Sequence, residues 1–166
     1  MNREQRLRTA VDTSMERVKA ASKDRDEQAI FEALGECLMW VIALDDLLED
    51  RVGYMNLRNS DRQRQGQFLP GLRYARNAIA HGDAVGDLAD ITDVPYPPGP
   101  LVHNRPGTRI FGPPTLVQWT FQQTLLAPTK QAPDLEATYA AHVASREVST
   151  PIVGAVGWSH RALVAC

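Results

Sequence analysis

The chain has 166 residues, 23% of them charged and 43% hydrophobic, which suits one globular domain over residues 1–166 with a core of ordinary size. A formal net charge of −2 argues against a nucleic-acid-binding surface spread over the whole molecule. Cys37 and Cys166 supply neither a disulfide framework nor metal-ligand spacing, and no apolar run approaches the roughly eighteen residues of a membrane span, so the expectation is a reduced, cytoplasmic protein with no membrane contact, metal or cofactor.

Leu7, Val11, Met15, Val18 and Ala21 recur at steps of three and four and predict an amphipathic helix over about residues 3–22. Its opening, Met1 to Arg6, is charged and lacks the apolar centre of a signal peptide. The polar run Ser22 to Asp26 predicts a short connection.

A second helix is expected over about residues 26–50, with Ile30, Ala33, Leu34, Cys37, Trp40, Val41, Leu44 and Leu48 on one face. Beside that face runs a second apolar stripe of Phe31, Gly35, Leu38 and Ile42, leading to Asp45, Asp46 and Glu49. A helix that is apolar on two sides is buried on two sides, either by its own chain or by a partner subunit.

Asn59-Ser60-Asp61 marks a loop or helix start, and Pro70 suits the first turn of a third helix. Phe68, Leu72, Ala75, Arg76 and Ile79 line its expected inward side, and Gly82 can end it. Residues 51–82 carry six arginines against the single acid Asp61, a local charge of +5. That segment reads either as a phosphate-binding groove or as a solvated face whose arginine stems cover apolar surface.

From residue 83 to residue 128 eight prolines replace helical periodicity. The runs Leu101-Val102, Arg109-Ile110-Phe111 and Leu116 to Trp119 predict a β-hairpin or an ordered loop inserted in the bundle. Helices are expected again over about residues 134–145 and 151–164, the latter with Thr150 as cap and Pro151 in first position. The fold class is therefore all-α, an antiparallel bundle with one proline-rich insertion.

The chemistry concentrates in residues 73–82, Arg-Tyr-Ala-Arg-Asn-Ala-Ile-Ala-His-Gly. A guanidinium, an amide and an imidazole titrating near neutral pH are what metal-free cleavage of a phosphodiester requires. Five residues of helix advance about 7.5 Å and turn about 140°, so Arg76 and His81 cannot share a narrow face of one regular helix. Asn77 and His81 can, at i and i+4. Completing the cluster takes unwinding near Gly82 or a second copy across a two-fold axis.

The run Arg76-Asn77-x-x-x-His81 resembles the Arg-x4-6-His signature of the HEPN superfamily, including the polar residue after arginine. The lead-in Gly71 to Ala75 and the acidic-tipped stretch Glu36 to Leu47 are also similar to segments of bacterial HEPN-like proteins. The resemblance covers about residues 5–82. It implies a helical bundle that pairs as a homodimer so that two motif helices meet, and a metal-independent endoribonuclease acting on RNA.

In that reading His81 is the general acid or base, Arg76 binds the scissile phosphate, Asn77 orients His81 or the phosphate, and Arg73 and Tyr74 hold neighbouring substrate. Asp45 and Asp46 are auxiliary. The competing reading makes His81 a cation at a helix C-terminus, Asn77 a surface amide, and Arg76 an ion-pair partner of Asp45, Asp46 or Glu49. Two further forms are a toxin held by an antitoxin protein and a non-catalytic dimeric interaction or RNA-binding module. His103, His142 and His160 show no ligand spacing and are assigned no chemistry.

Overall fold

Asn2 opens the first helix with a reciprocal cap: its Oδ1 accepts from the Gln5 N–H at 2.8 Å, and Gln5 Oε1 accepts from the Asn2 N–H at 3.1 Å. The helix, α1 (Arg3–Asp24), stops where Arg25 turns left-handed, with φ of 54°, and the Asp26 N–H closes back on the Ala21 carbonyl at 3.1 Å. Asp26 then caps α2 (Glu27–Glu49), accepting from the Ala29 N–H at 3.0 Å. Stop and start signals are adjacent, so α1 and α2 fold back on each other as a tight antiparallel pair, with Arg17 of α1 bonded to Glu36 of α2.

In this computed structural model residues 1–51, 53–60, 65–80, 89–93, 115–119 and 133–165 are described, and they are mostly helical. After α2 come α3 (Tyr54–Ser60), α4 (Phe68–Ala80), strands β1 (Ala89–Asp93) and β2 (Thr115–Trp119), α5 (Pro133–His142) and α6 (Ser149–Ala165). The strands pair antiparallel, with Ala89 opposite Trp119 and Asp93 opposite Thr115. The Leu116 to Trp119 run thus lies in β2, whereas Leu101-Val102 and Arg109 to Phe111 fall outside the described residues.

Helix α2 is the centre of the core. Leu34, Cys37, Leu38, Val41 and Leu48 are fully buried, with α1 on one flank and α4 and α6 on the other. Leu38 and Ile42 of the second stripe are therefore covered by their own chain, at 0% and 2% exposure, while Phe31 is half-buried and the large apolar side chain left outside on α2 is Met39, half exposed. A partner subunit cannot use Leu38 or Ile42, because burying them already stabilises the single chain.

Helix α4 runs antiparallel to α2, with Ile79 beside Gly35 near one end and Arg73 beside Asp45 near the other. Small residues bring it close to the remaining helices. A Cβ on Gly71 would stand 2.6 Å from Val143 Cγ2 and 3.2 Å from the Tyr139 Cα, so α4 meets α5 nearly backbone to backbone. Gly154 of α6 likewise makes room for the Phe68 ring, which also takes the Arg146 guanidinium 5.8 Å over its centre.

Two helix ends differ from their sequence readings. Helix α5 closes at His142, and the chain passes through Ser145 with φ of 61° before α6. Helix α6 starts at Ser149, where the Glu147 carboxylate accepts the Ser149 N–H at 3.1 Å and the Ser149 and Thr150 hydroxyls. Glu147 does the capping expected of Thr150, because its longer side chain reaches two residues forward to the first N–H of the helix, that of Ser149.

Candidate functional site

The end of α2 and the solvent edge of α4 form one polar cluster centred on Asp45. Its carboxylate has no exposed surface, and its hydrogen-bond partners among the described residues are two guanidinium groups and a hydroxyl. Tyr54 Oη donates to Oδ1 at 2.6 Å, Arg58 Nη1 to Oδ2 at 3.2 Å, and Arg73 Nη2 to Oδ2 at 2.8 Å. Arg73 Nη2 also donates to Asp46 Oδ1 at 2.7 Å and reaches Glu49 Oε1 at 3.5 Å; Arg58 Nη1 reaches the same Glu49 oxygen at 3.4 Å. Three carboxylates on α2 thus share two guanidinium groups, one from α3 and one from α4.

Three elements position the cluster. Asp45 and Glu49 lie one turn apart on α2. Tyr54 and Arg58 share a face of α3 at i and i+4, and the Tyr54 ring is held edge-on to Trp158 of α6 at 5.4 Å. Arg73 projects from α4 at the flank of its buried Leu69–Leu72–Ala75 side, where it reaches the acids of α2. Burial pushes the Tyr54 hydroxyl well above its ordinary range, and the Asp45 charge and hydrogen bond add to the shift. Burial works against the charge of Arg73, but its bonds to Asp45 and Asp46 outweigh that and leave its pKa raised.

Arg76 and Asn77 sit one turn further along α4, both half-buried. Among the described residues nothing forms an ion pair or a side-chain hydrogen bond with either. The acids that the sequence offered to Arg76 are taken by Arg73 and Arg58. Tyr74, expected on substrate, is 4% exposed with its ring 5.2 Å from that of Tyr139. Its hydroxyl pKa is raised, first by burial and then by the Glu136 charge. His81 and Gly82 lie outside the described residues, just past the last residue of α4, as do Arg62 and Arg64 of the basic segment.

The sequence reading missed Tyr54 and Arg58. A signal for them existed: a tyrosine and an arginine four apart, immediately after a helix tipped by three acids. Arg58 and Arg73 are neutralised in place, and among the described residues the arginine of α4 that meets no carboxylate is Arg76.

A groove of about 470 Å³ lies between Met15, Lys19 and Lys23 of α1 and the Glu147 to Ser149 turn, and none of the described motif residues lines it. Among the described residues no three His, Cys, Asp or Glu side chains are grouped so as to hold a metal ion, and no helix is long and apolar enough to cross a membrane. No family model, no curated protein and no solved structure matches the chain.

Proposed function

We propose that the protein is a HEPN-type, metal-independent endoribonuclease, a helical bundle with a proline-rich insertion that acts as a homodimer. The observation that carries this reading is the contrast along α4: Arg73 is neutralised by three carboxylates, while Arg76, about one turn on and four residues from the end of the helix, meets none among the described residues. A half-buried guanidinium without a carboxylate is suited to a phosphate, which it can grip through two parallel N–H groups.

Arg76 binds the scissile phosphate and stabilises the charge that gathers on its oxygens. His81, in general-base form, takes the proton of the ribose 2′-hydroxyl as the 2′-oxygen attacks phosphorus and the bond to the 5′-oxygen breaks. The 5′-oxygen leaves with a proton from an acid, the second His81 of the dimer. The products are a 2′,3′-cyclic phosphate and a 5′-hydroxyl, and a substrate lacking the 2′-hydroxyl is not cut. Asn77 orients the phosphate or the imidazole. Asp45 and Asp46 act on the site at one remove, through Arg73. An antitoxin protein that covers the shared groove is the natural regulator of such an activity.

A non-catalytic dimeric interaction or RNA-binding module is the second reading. It draws on the placement of Arg73 and Tyr74, both engaged within the chain rather than presented to a substrate. End-group analysis separates the two. Cleaved RNA bearing a 2′,3′-cyclic phosphate, with the matching DNA left intact, supports the enzyme; RNA retained but uncut supports the module.

A further inference from the structure

Among the described residues, Arg73 is the side chain of α4 that makes polar contacts to another helix. The rest of the α4 interface is apolar: Leu69, Leu72, Ala75 and Ala78, with the close approach at Gly71. Apolar contact is non-directional. It selects which side of a helix is buried and leaves sliding along the axis weakly opposed. Arg73 Nη2 is gripped by carboxylates from two successive turns of α2, which resists both sliding and rotation. Asp45 cannot follow if α4 shifts, because Tyr54 and Arg58 of α3 hold its other lone pairs.

We propose that Arg73 is a positioning residue, whose hold on Asp45, Asp46 and Glu49 sets α4 in register on α2 and so fixes where Arg76 and Asn77 stand. Its effect on catalysis rests on the ribonuclease reading above; its effect on α4 does not. The geometry also disfavours Arg73 as a phosphate ligand, since a phosphate reaching it would enter beside Asp46 and Glu49 and meet their like charge.

The test compares wild type, Arg73→Gln, Arg73→Lys and Asp46→Asn. Asp46 stands on the solvent side of the cluster, so its change removes one grip without emptying a buried partner and serves where Arg73→Gln does not fold. Labelled single-stranded RNA supplies kcat, KM and the salt dependence of binding, and hydrogen exchange follows the amides of residues 76–80. Arg73→Gln should lower kcat at least about tenfold with KM unchanged, as expected of displaced but intact catalytic groups. Exchange at residues 76–80 should quicken, Arg73→Lys should recover part of both, and Asp46→Asn should shift both in the same direction by less. A raised KM, with the slope of log K against log salt reduced by about 0.7, would make Arg73 a phosphate ligand instead. Unchanged kcat and exchange would mean that packing alone seats α4. Should the wild type cut no RNA, the ribonuclease reading fails by itself and the exchange comparison alone decides the role of Arg73.

Discussion

The Tyr54 hydroxyl donates to Asp45 Oδ1 across 2.6 Å with both side chains buried, at 1% and 0% exposure. A carboxylate placed so deep is tolerable only while its donors stay in place, because removing one partner leaves charge without solvent. Tyr54 and Arg58 arrive from a seven-residue helix that has little stability of its own. The Asp45 cluster therefore ties α3 to α2 as much as it ties α4 to α2.

Asp45→Ala should destabilise the fold by about 3–5 kcal/mol, since it leaves two arginines facing each other at a buried site. Tyr54→Phe removes one hydrogen bond to a charged acceptor that keeps both arginines, and should cost about 1.5–3 kcal/mol. Urea unfolding at neutral pH gives both numbers. Equal losses would mean that Asp45 is held by its hydrogen bond to Tyr54 rather than by charge.

Burial raises the Cys37 thiol to about 12 and raises the Tyr54 hydroxyl as well, so folding favours the protonated form of each. Their ordinary values are 9.0 and 10.0. The associated stability is complete below those values and is lost as pH rises above them towards the folded ones. Stability should therefore fall from pH 9 upwards, and Tyr54→Phe should flatten the part of the decline above pH 10. In a Cys166→Ser background, native Cys37 should resist a maleimide at pH 8, while unfolded protein reacts.

Ser145 holds φ of 61°, and its hydroxyl is buried without a hydrogen-bond partner among the described residues. Ser145→Gly removes both the left-handed strain and the unmatched hydroxyl, and should raise stability by about 1 kcal/mol despite the added freedom of the unfolded chain. Thermal unfolding checks the sign. A loss would show that the serine side chain packs better than its missing bond suggests.

Gly71→Ala places a methyl against Val143 and the Tyr139 backbone, and should cost about 1–3 kcal/mol. Because α4 must then stand off α5, RNA cleavage should fall as well if the proposed ribonuclease activity holds. Stability lost with cleavage unaltered in the folded fraction would show that the strain is absorbed in α5.

The helices formed by long periodic runs were legible, α1 and α2 to within two residues at each end, since spacing and adjacent polar punctuation both mark them. Helix α3 was not: two turns give no period to read, and Tyr54 is buried by Trp158, which lies more than a hundred residues away in the chain. The competing reading, which paired Arg76 with the acids of α2, missed their partners for a related reason. Arg73 and Arg76 differ by about 60° of rotation and less than one turn of rise, and which of them meets Asp45 depends on the axial offset between two helices. That offset depends on contacts between helices, the close approaches at Gly71 and Gly154 and the hold of the α2 carboxylates on Arg73, and no pattern within α4 records it. Leu38 and Ile42 teach the same lesson, since periodicity shows that a face is buried and leaves open by what.

Cleavage of a labelled RNA by the purified protein in excess chelator, compared with His81→Ala and Arg76→Ala, bears most directly on the central claim. The wild type should cut, with the chelator making no difference. Both variants should lose at least about a hundredfold in rate, the range covered by one proton-transfer group or one charge-stabilising group. Hydrogen exchange should show α4 still folded in each, since Arg76 is only half-buried and His81 follows the last residue of α4 in the chain. Equal rates in wild type and His81→Ala, or activity that disappears with chelation, would contradict the mechanism.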